Sequence, residues 1–181
     1  ADRRLYAFFH PALPDEPLIF IEVALMNDVP DSIMPILDLS VVPIDPNSAN
    51  TAVFYSISNC QMALKGVSFG SFLIKQVVSE IQKEFKEIKQ FVTLSPVPGL
   101  RKWAHKMNTS KDTELSDRIS EDISDCCNEE EVDQSALRRL TYHYLTQIKN
   151  KNGDAINPVA HFHLGNGALI YKIHADANSN Q

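Results

Sequence analysis

At 181 residues, 44% of them hydrophobic, the chain can bury a sizeable core as one domain. No apolar run reaches the roughly 18 residues that a membrane-spanning helix needs, the N-terminus lacks a basic-then-apolar signal pattern, and three cysteines, two of them adjacent, make no disulfide framework, so a reducing intracellular compartment is expected. The net charge of −6 argues against a nucleic-acid partner, although residues 109–134 alone hold ten acids and two bases, which leaves the rest of the chain near +2 (−6 minus −8).

Residues 5–9 and 18–25 are rich in aromatic and β-branched side chains and read as strands. Pro11, Pro14, Asp15 and Pro17 punctuate a turn between them. Residues 30–50 carry four prolines around two apolar pairs, which suits a short helix and a loop. Residues 51–58 form the next strand. A helix is predicted after Gly70, because Leu73, Val77, Val78, Ile81, Phe85 and Ile88 recur at steps of three and four. Residues 91–94 are again strand, ending at Ser95 because the residue before Pro96 is pushed to an extended conformation. Strand, helix and strand in this order make a βαβ unit with parallel strands.

Residues 99–107 suit a short helix bearing Trp103. Residues 108–134 are polar and acidic, with too little apolar content to pack, and are expected to be a mobile surface insertion. Residues 136–148 read as a helix. Residues 159–164 and 168–173 flank Gly165-Asn166-Gly167, which predicts a β-hairpin. Both ends read as cut, so a fragment of a longer protein is expected. The fold class is α/β (α+β), a mixed twisted sheet flanked by helices.

Three places could carry chemistry. Lys65-Gly66-Val67-Ser68-Phe69-Gly70-Ser71 precedes the long helix. Its glycines admit close backbone approach, and the helix start offers free N–H groups to a pyrophosphate. The spacing resembles the Arg-Gly-x-Gly-x-Gly/Ala loop of the GNAT acyltransferases, with Lys65 in the Arg position and Ser68 in place of a glycine. Ser95 lies at the C-terminal end of a parallel strand, where ligands of open α/β sheets bind. A serine before proline is otherwise an ordinary turn residue. His161 and His163, two apart on an expected strand, share one face. One of them suits an acid/base or hydrogen-bonding role. No cysteine or carboxylate cluster stands near them at metal-ligand spacing, and a structural histidine is the alternative. Cys60, Cys126 and Cys127 read as plain thiols and His10 as structural.

Five ordered segments together closely resemble malonyl-CoA decarboxylase. They are Phe8-Phe9-His10-Pro11-Ala12-Leu13-Pro14-Asp15-Glu16-Pro17-Leu18, Phe54-Tyr55-Ser56-Ile57-Ser58, and Gly66-Val67-Ser68-Phe69-Gly70-Ser71-Phe72-Leu73-Ile74-Lys75-Gln76-Val77-Val78. Leu94-Ser95-Pro96-Val97-Pro98-Gly99 and Asn157-Pro158-Val159-Ala160-His161-Phe162-His163-Leu164-Gly165-Asn166-Gly167-Ala168 complete the set.

The resemblance spans roughly residues 3–173. It implies a GNAT-like catalytic domain that follows an N-terminal helical domain in the family. It implies decarboxylation of malonyl-CoA to acetyl-CoA and carbon dioxide, with the family's serine on Ser95 and its histidine on His163. It further implies no cofactor beyond the CoA thioester substrate, and a homo-oligomeric full-length protein. The expected location is cytoplasmic in a bacterium and mitochondrial or peroxisomal in a eukaryote. Some members carry an acid where this chain has Ser68. Two other readings stay open on the residues alone: an acyl-CoA acyltransferase with the same loop, and a non-catalytic CoA-binding module.

Overall fold

β1 (Arg3–His10) and β2 (Leu13–Met26) form an antiparallel pair that runs from Arg3 opposite Ala24 to His10 opposite Leu13. This computed structural model describes residues 2–61, 70–110, 115–128, 133–175 and 177. Of the proline-rich stretch expected as a turn, Pro11 and Ala12 make the turn, while Pro14, Asp15 and Pro17 already belong to the first part of β2. Pro14 and Pro17 fit a strand here because β3 (Thr51–Asn59) pairs with β2 only from Ile19 onward. The ladder toward β1 is also irregular between Phe8 and His10. A proline removes a ladder donor, and unpaired or bulged stretches tolerate that loss.

The chain then makes a short helix, α1 (Met34–Leu37), and a 3₁₀ turn at Pro46–Ser48 before β3. β4 (Gln90–Thr93) pairs with β3 in parallel, from Thr51 opposite Gln90 to Phe54 opposite Thr93. The sheet order is β1-β2-β3-β4, mixed in direction as expected. The crossover contains α2 (Gly70–Glu84).

Alternation along β2 explains the core of this first unit, which ends at Ser95. Ile19, Ile21, Val23 and Leu25 share one face and meet Leu73, Val77 and Ile81 of α2. Ile21 and Ile81 are both wholly buried. Full burial of each such side chain stabilises the fold by about 1.5–3 kcal/mol. The helix stops four residues before Ile88, but Phe85 and Ile88 turn back into the same core. On the opposite face Ala24 and Val53 pack with Ile36 of α1.

The second unit begins at Pro96 and, among the described residues, is helical apart from an isolated bridge between Lys149 and Ala155. It contains α3 (Leu100–Thr109), α4 (Asp117–Asn128), α5 (Gln134–Thr146) and α6 (Pro158–Gly165). Trp103, Ile123, Cys126, Leu140, Tyr144 and Ala160 belong to its core.

Two expectations fail in this unit. Residues 117–128 of the acidic stretch are helix α4, with Ile123 and Cys126 buried. Leu115, Ile119, Ile123 and Cys126 or Cys127 recur at helical steps, so a narrow apolar stripe packs beneath a charged surface. The hairpin at Gly165-Asn166-Gly167 is instead the end of α6. Gly167 has φ +88, its N–H donates to the Leu164 carbonyl at 3.0 Å, and the Ala168 N–H donates to the His163 carbonyl at 3.0 Å. That pair of bonds is a Schellman stop, which needs the same left-handed glycine as a tight hairpin turn. Residues 168–173 form no strand. No helix among the described residues is long and apolar enough to cross a membrane.

Candidate active-site elements

Ser95 lies two residues past the end of β4, after Leu94, and is half-buried. The strand is pinned up to the preceding residue, since the Leu94 N–H donates to the Phe54 carbonyl at 2.9 Å. The turn Pro96-Val97-Pro98-Gly99 comes next. Gly99 caps α3 with φ +84 and ψ −5, a left-handed conformation. A Cβ there would lie 3.0 Å from the Tyr144 hydroxyl oxygen, so backbone and ring lie close together.

The Pro98 carbonyl accepts two side-chain hydrogen bonds. The Asn157 Nδ2 donates at 2.8 Å and the Tyr144 hydroxyl donates at 3.3 Å. Tyr144 in turn packs on Trp103, with ring centroids 5.3 Å apart. Asn157 is wholly buried, and its Oδ1 accepts from the Ala160 N–H at 2.8 Å, capping α6. Pro158 occupies the first helical turn, where a missing N–H costs nothing.

α6 carries His161 and His163. Two residues along a helix turn the side chain through about 200°, so the pair does not share one face as the expected strand would have made it. His161 is exposed, with Nδ1 4.0 Å from Asp154 Oδ1. His163 is half-buried in the last turn, edge-on to Phe162 with centroids 5.0 Å apart. Burial pushes its pKa below the usual imidazole value, so near neutral pH it holds one N–H donor and one lone pair. That is the protonation state an imidazole needs to orient a hydroxyl.

Ser95 therefore closes the first unit and His163 belongs to the second. Lys65, Gly66, Val67, Ser68 and Phe69 of the expected CoA loop lie outside the described residues; Gly70 and Ser71 open α2. Burial raises the thiol pKa of Cys126 and of Cys127, which keeps both protonated and poorly nucleophilic. The reading of the sequence missed Asn157 and Tyr144. Asn before Pro is a helix-start signal that was available. The Pro98 partner was not, because it lies 59 residues away.

The family profile described as malonyl-CoA decarboxylase C-terminal domain matches residues 1–181. Mitochondrial malonyl-CoA decarboxylase of the goose Anser anser anser is 40% identical over 94% of this chain and 40% of its own length. The Mus musculus protein of the same name is 36% identical over 98% of this chain and 42% of its own. The crystal structure of malonyl-CoA decarboxylase from Rhodopseudomonas palustris aligns with TM-score 0.79 at 47% identity, covering 92% of this chain and 40% of that one. The structure from Agrobacterium vitis aligns with TM-score 0.81 at 43% identity, covering 92% and 43%. The chain thus spans about two fifths of the length of the curated relatives it matches.

Proposed function

This chain belongs to the malonyl-CoA decarboxylase family, and on that premise we propose that it serves the conversion of malonyl-CoA to acetyl-CoA and carbon dioxide. The observation that carries the reading is the match of the family's C-terminal domain along the whole chain.

The chemistry asks little of a protein beyond placement. Breaking the bond to the carboxyl carbon sends its electron pair toward the thioester carbonyl, and an enolate forms as carbon dioxide leaves. The thioester is the electron sink, so the reaction requires no organic cofactor or metal. The site must hold the carboxylate out of the thioester plane, stabilise the developing oxyanion and protonate carbon. Fixed donors contribute most to the second task. The Ser95 hydroxyl donates to the malonyl carboxylate or to the oxyanion. His163, neutral near pH 7 because it is buried, orients that hydroxyl and relays the proton to carbon. The CoA pyrophosphate is assigned to the segment Lys65, Gly66, Val67, Ser68, Phe69, Gly70 and Ser71, whose end starts α2.

The test is incubation of the purified protein with malonyl-CoA, following carbon dioxide and acetyl-CoA together. Equimolar release of the two is expected. CoA binding without turnover would overturn the reading in favour of a binding module, and acyl transfer to an added amine would overturn it in favour of an acyltransferase.

A further inference from the structure

We propose that Asn157 is a positioning residue for this reaction, one side-chain amide tying the turn that follows Ser95 to the helix that carries His163. The inference rests on the decarboxylase reading above and extends it to a residue outside the proposed Ser/His pair.

The hydrogen-bonding partners fix how the amide is used. The Ala160 N–H can only donate, so it faces Oδ1 at 2.8 Å. The Pro98 carbonyl can only accept, so it faces Nδ2, also at 2.8 Å. Asn, Asp and Ser are about equally good helix caps. Only Asn among them also presents a donor at this reach. An Asp would cap α6 equally well but turn an oxygen toward the Pro98 carbonyl. The choice of Asn at a wholly buried position is therefore explained by the second bond rather than the first.

Both ends of the clamp lead to the proposed chemistry by stiff paths. From Pro98 back to Ser95 there are three residues, two of which, Pro96 and Pro98, have φ locked by their rings. From Asn157 forward, His163 lies six residues along a helix, about 9 Å of rise. The backbone of that helix is anchored at its start, where the His161 N–H donates to the Asn157 carbonyl at 2.9 Å. The Tyr144 hydroxyl supplies a second, longer bond to the same Pro98 oxygen. A displaced turn or helix start would move a reacting group by a fraction of its required precision, and a 1 Å error costs about hundredfold.

The experiment compares the parent protein, Asn157→Asp, Asn157→Ser and Tyr144→Phe, with Asn157→Asp also placed in a Ser95→Ala background. All are assayed for carbon dioxide release from malonyl-CoA, and their folding is checked by thermal melting. Asn157→Ser keeps a cap without burying a charge and Tyr144→Phe keeps the ring packing, so folded variants remain available even where the buried carboxylate of Asn157→Asp lowers the melting point. Expected for Asn157→Asp is a kcat loss of about hundredfold with KM little changed, a smaller loss for Tyr144→Phe, and no further loss on top of Ser95→Ala. Non-additivity of that kind marks residues acting through one another, which a merely structural role would not produce. Folded Asn157 variants with parental kcat, or a full additional loss in the Ser95→Ala background, would overturn the role while leaving the decarboxylase reading standing. A parent protein that releases no carbon dioxide would overturn the decarboxylase reading and this role together.

Discussion

Arg139 on α5 grips the carboxylate of Asp122 on α4 with both arms of its guanidinium, Nε to Oδ2 at 3.0 Å and Nη2 to Oδ1 at 2.7 Å. The Asp122 side chain is 2% exposed and that of Arg139 38%. The fork geometry satisfies a charge that could not otherwise be buried. Arg118 stands farther off, at 3.9 Å from the same carboxylate.

Removing Arg139 should therefore leave the buried Asp122 carboxylate with only the more distant Arg118 to offset its charge. Arg139→Ala is expected to lower the stability of the helical unit clearly more than Arg118→Ala, whose contact with the same carboxylate is longer and exposed on the arginine side. Urea unfolding followed by the fluorescence of the single tryptophan, Trp103, measures both. Equal effects would contradict this account of how α4 docks. By the same argument, replacing residues 109–134 with a Gly/Ser linker should unfold or severely weaken the unit, because it deletes Ile123 and Cys126 from the core.

Gly99 and Gly167 adopt nearly the same left-handed backbone, φ +84 and +88, but in different surroundings. An alanine at either position costs about 1–2 kcal/mol from backbone strain. At Gly99 the new Cβ would also press on the Tyr144 hydroxyl, whereas nothing lies within 4 Å at Gly167. Gly99→Ala should lower the unfolding midpoint more than Gly167→Ala. It should also lower turnover, since it disturbs the hydroxyl that donates to Pro98.

Burial lowers the pKa of both His143 and His163 below 6.5. The Nε2 of His143 is sealed from solvent with no hydrogen-bond partner. Arg138, Arg139 and Lys172 line the groove beside it, and none of them can stabilise an imidazolium. The unfolded chain therefore takes up protons first as pH falls, and stability rises with pH across this range. Stability from these groups should be complete above about pH 6.5 and be lost as pH falls through their depressed folded values. Thermal midpoints measured from pH 7.5 down to 5 should fall, and His143→Leu should flatten part of the slope. If neutral His163 serves turnover, the acid limb of kcat/KM should lie below pH 6.5.

The βαβ unit was legible in the sequence because period and composition agreed there. The stripe from Leu73 to Ile81 marked α2, and Ser95 before Pro96 marked the end of β4 within two residues. Helix α4 escaped because charge averaged over the whole acidic window hid a few apolar residues at helical spacing. Helix α6 escaped because its eight residues show little amphipathic contrast and its closing Asn166-Gly167 serves a Schellman stop as readily as a hairpin. The wrong element type then put His161 and His163 on a shared face. The Asn157–Pro98 bond joins residues 59 apart in the chain, and no local pattern announces such a pairing.

The central claim is that Ser95 and His163 work as a unit in decarboxylating malonyl-CoA, and an alanine cycle at the two positions tests it most directly. Ser95→Ala, His163→Ala and the double variant should each lose about a hundredfold or more in kcat. The double variant should be no worse than the poorer single, and CoA affinity should barely change. Losses that multiply in the double variant, or undiminished turnover in His163→Ala, would contradict it.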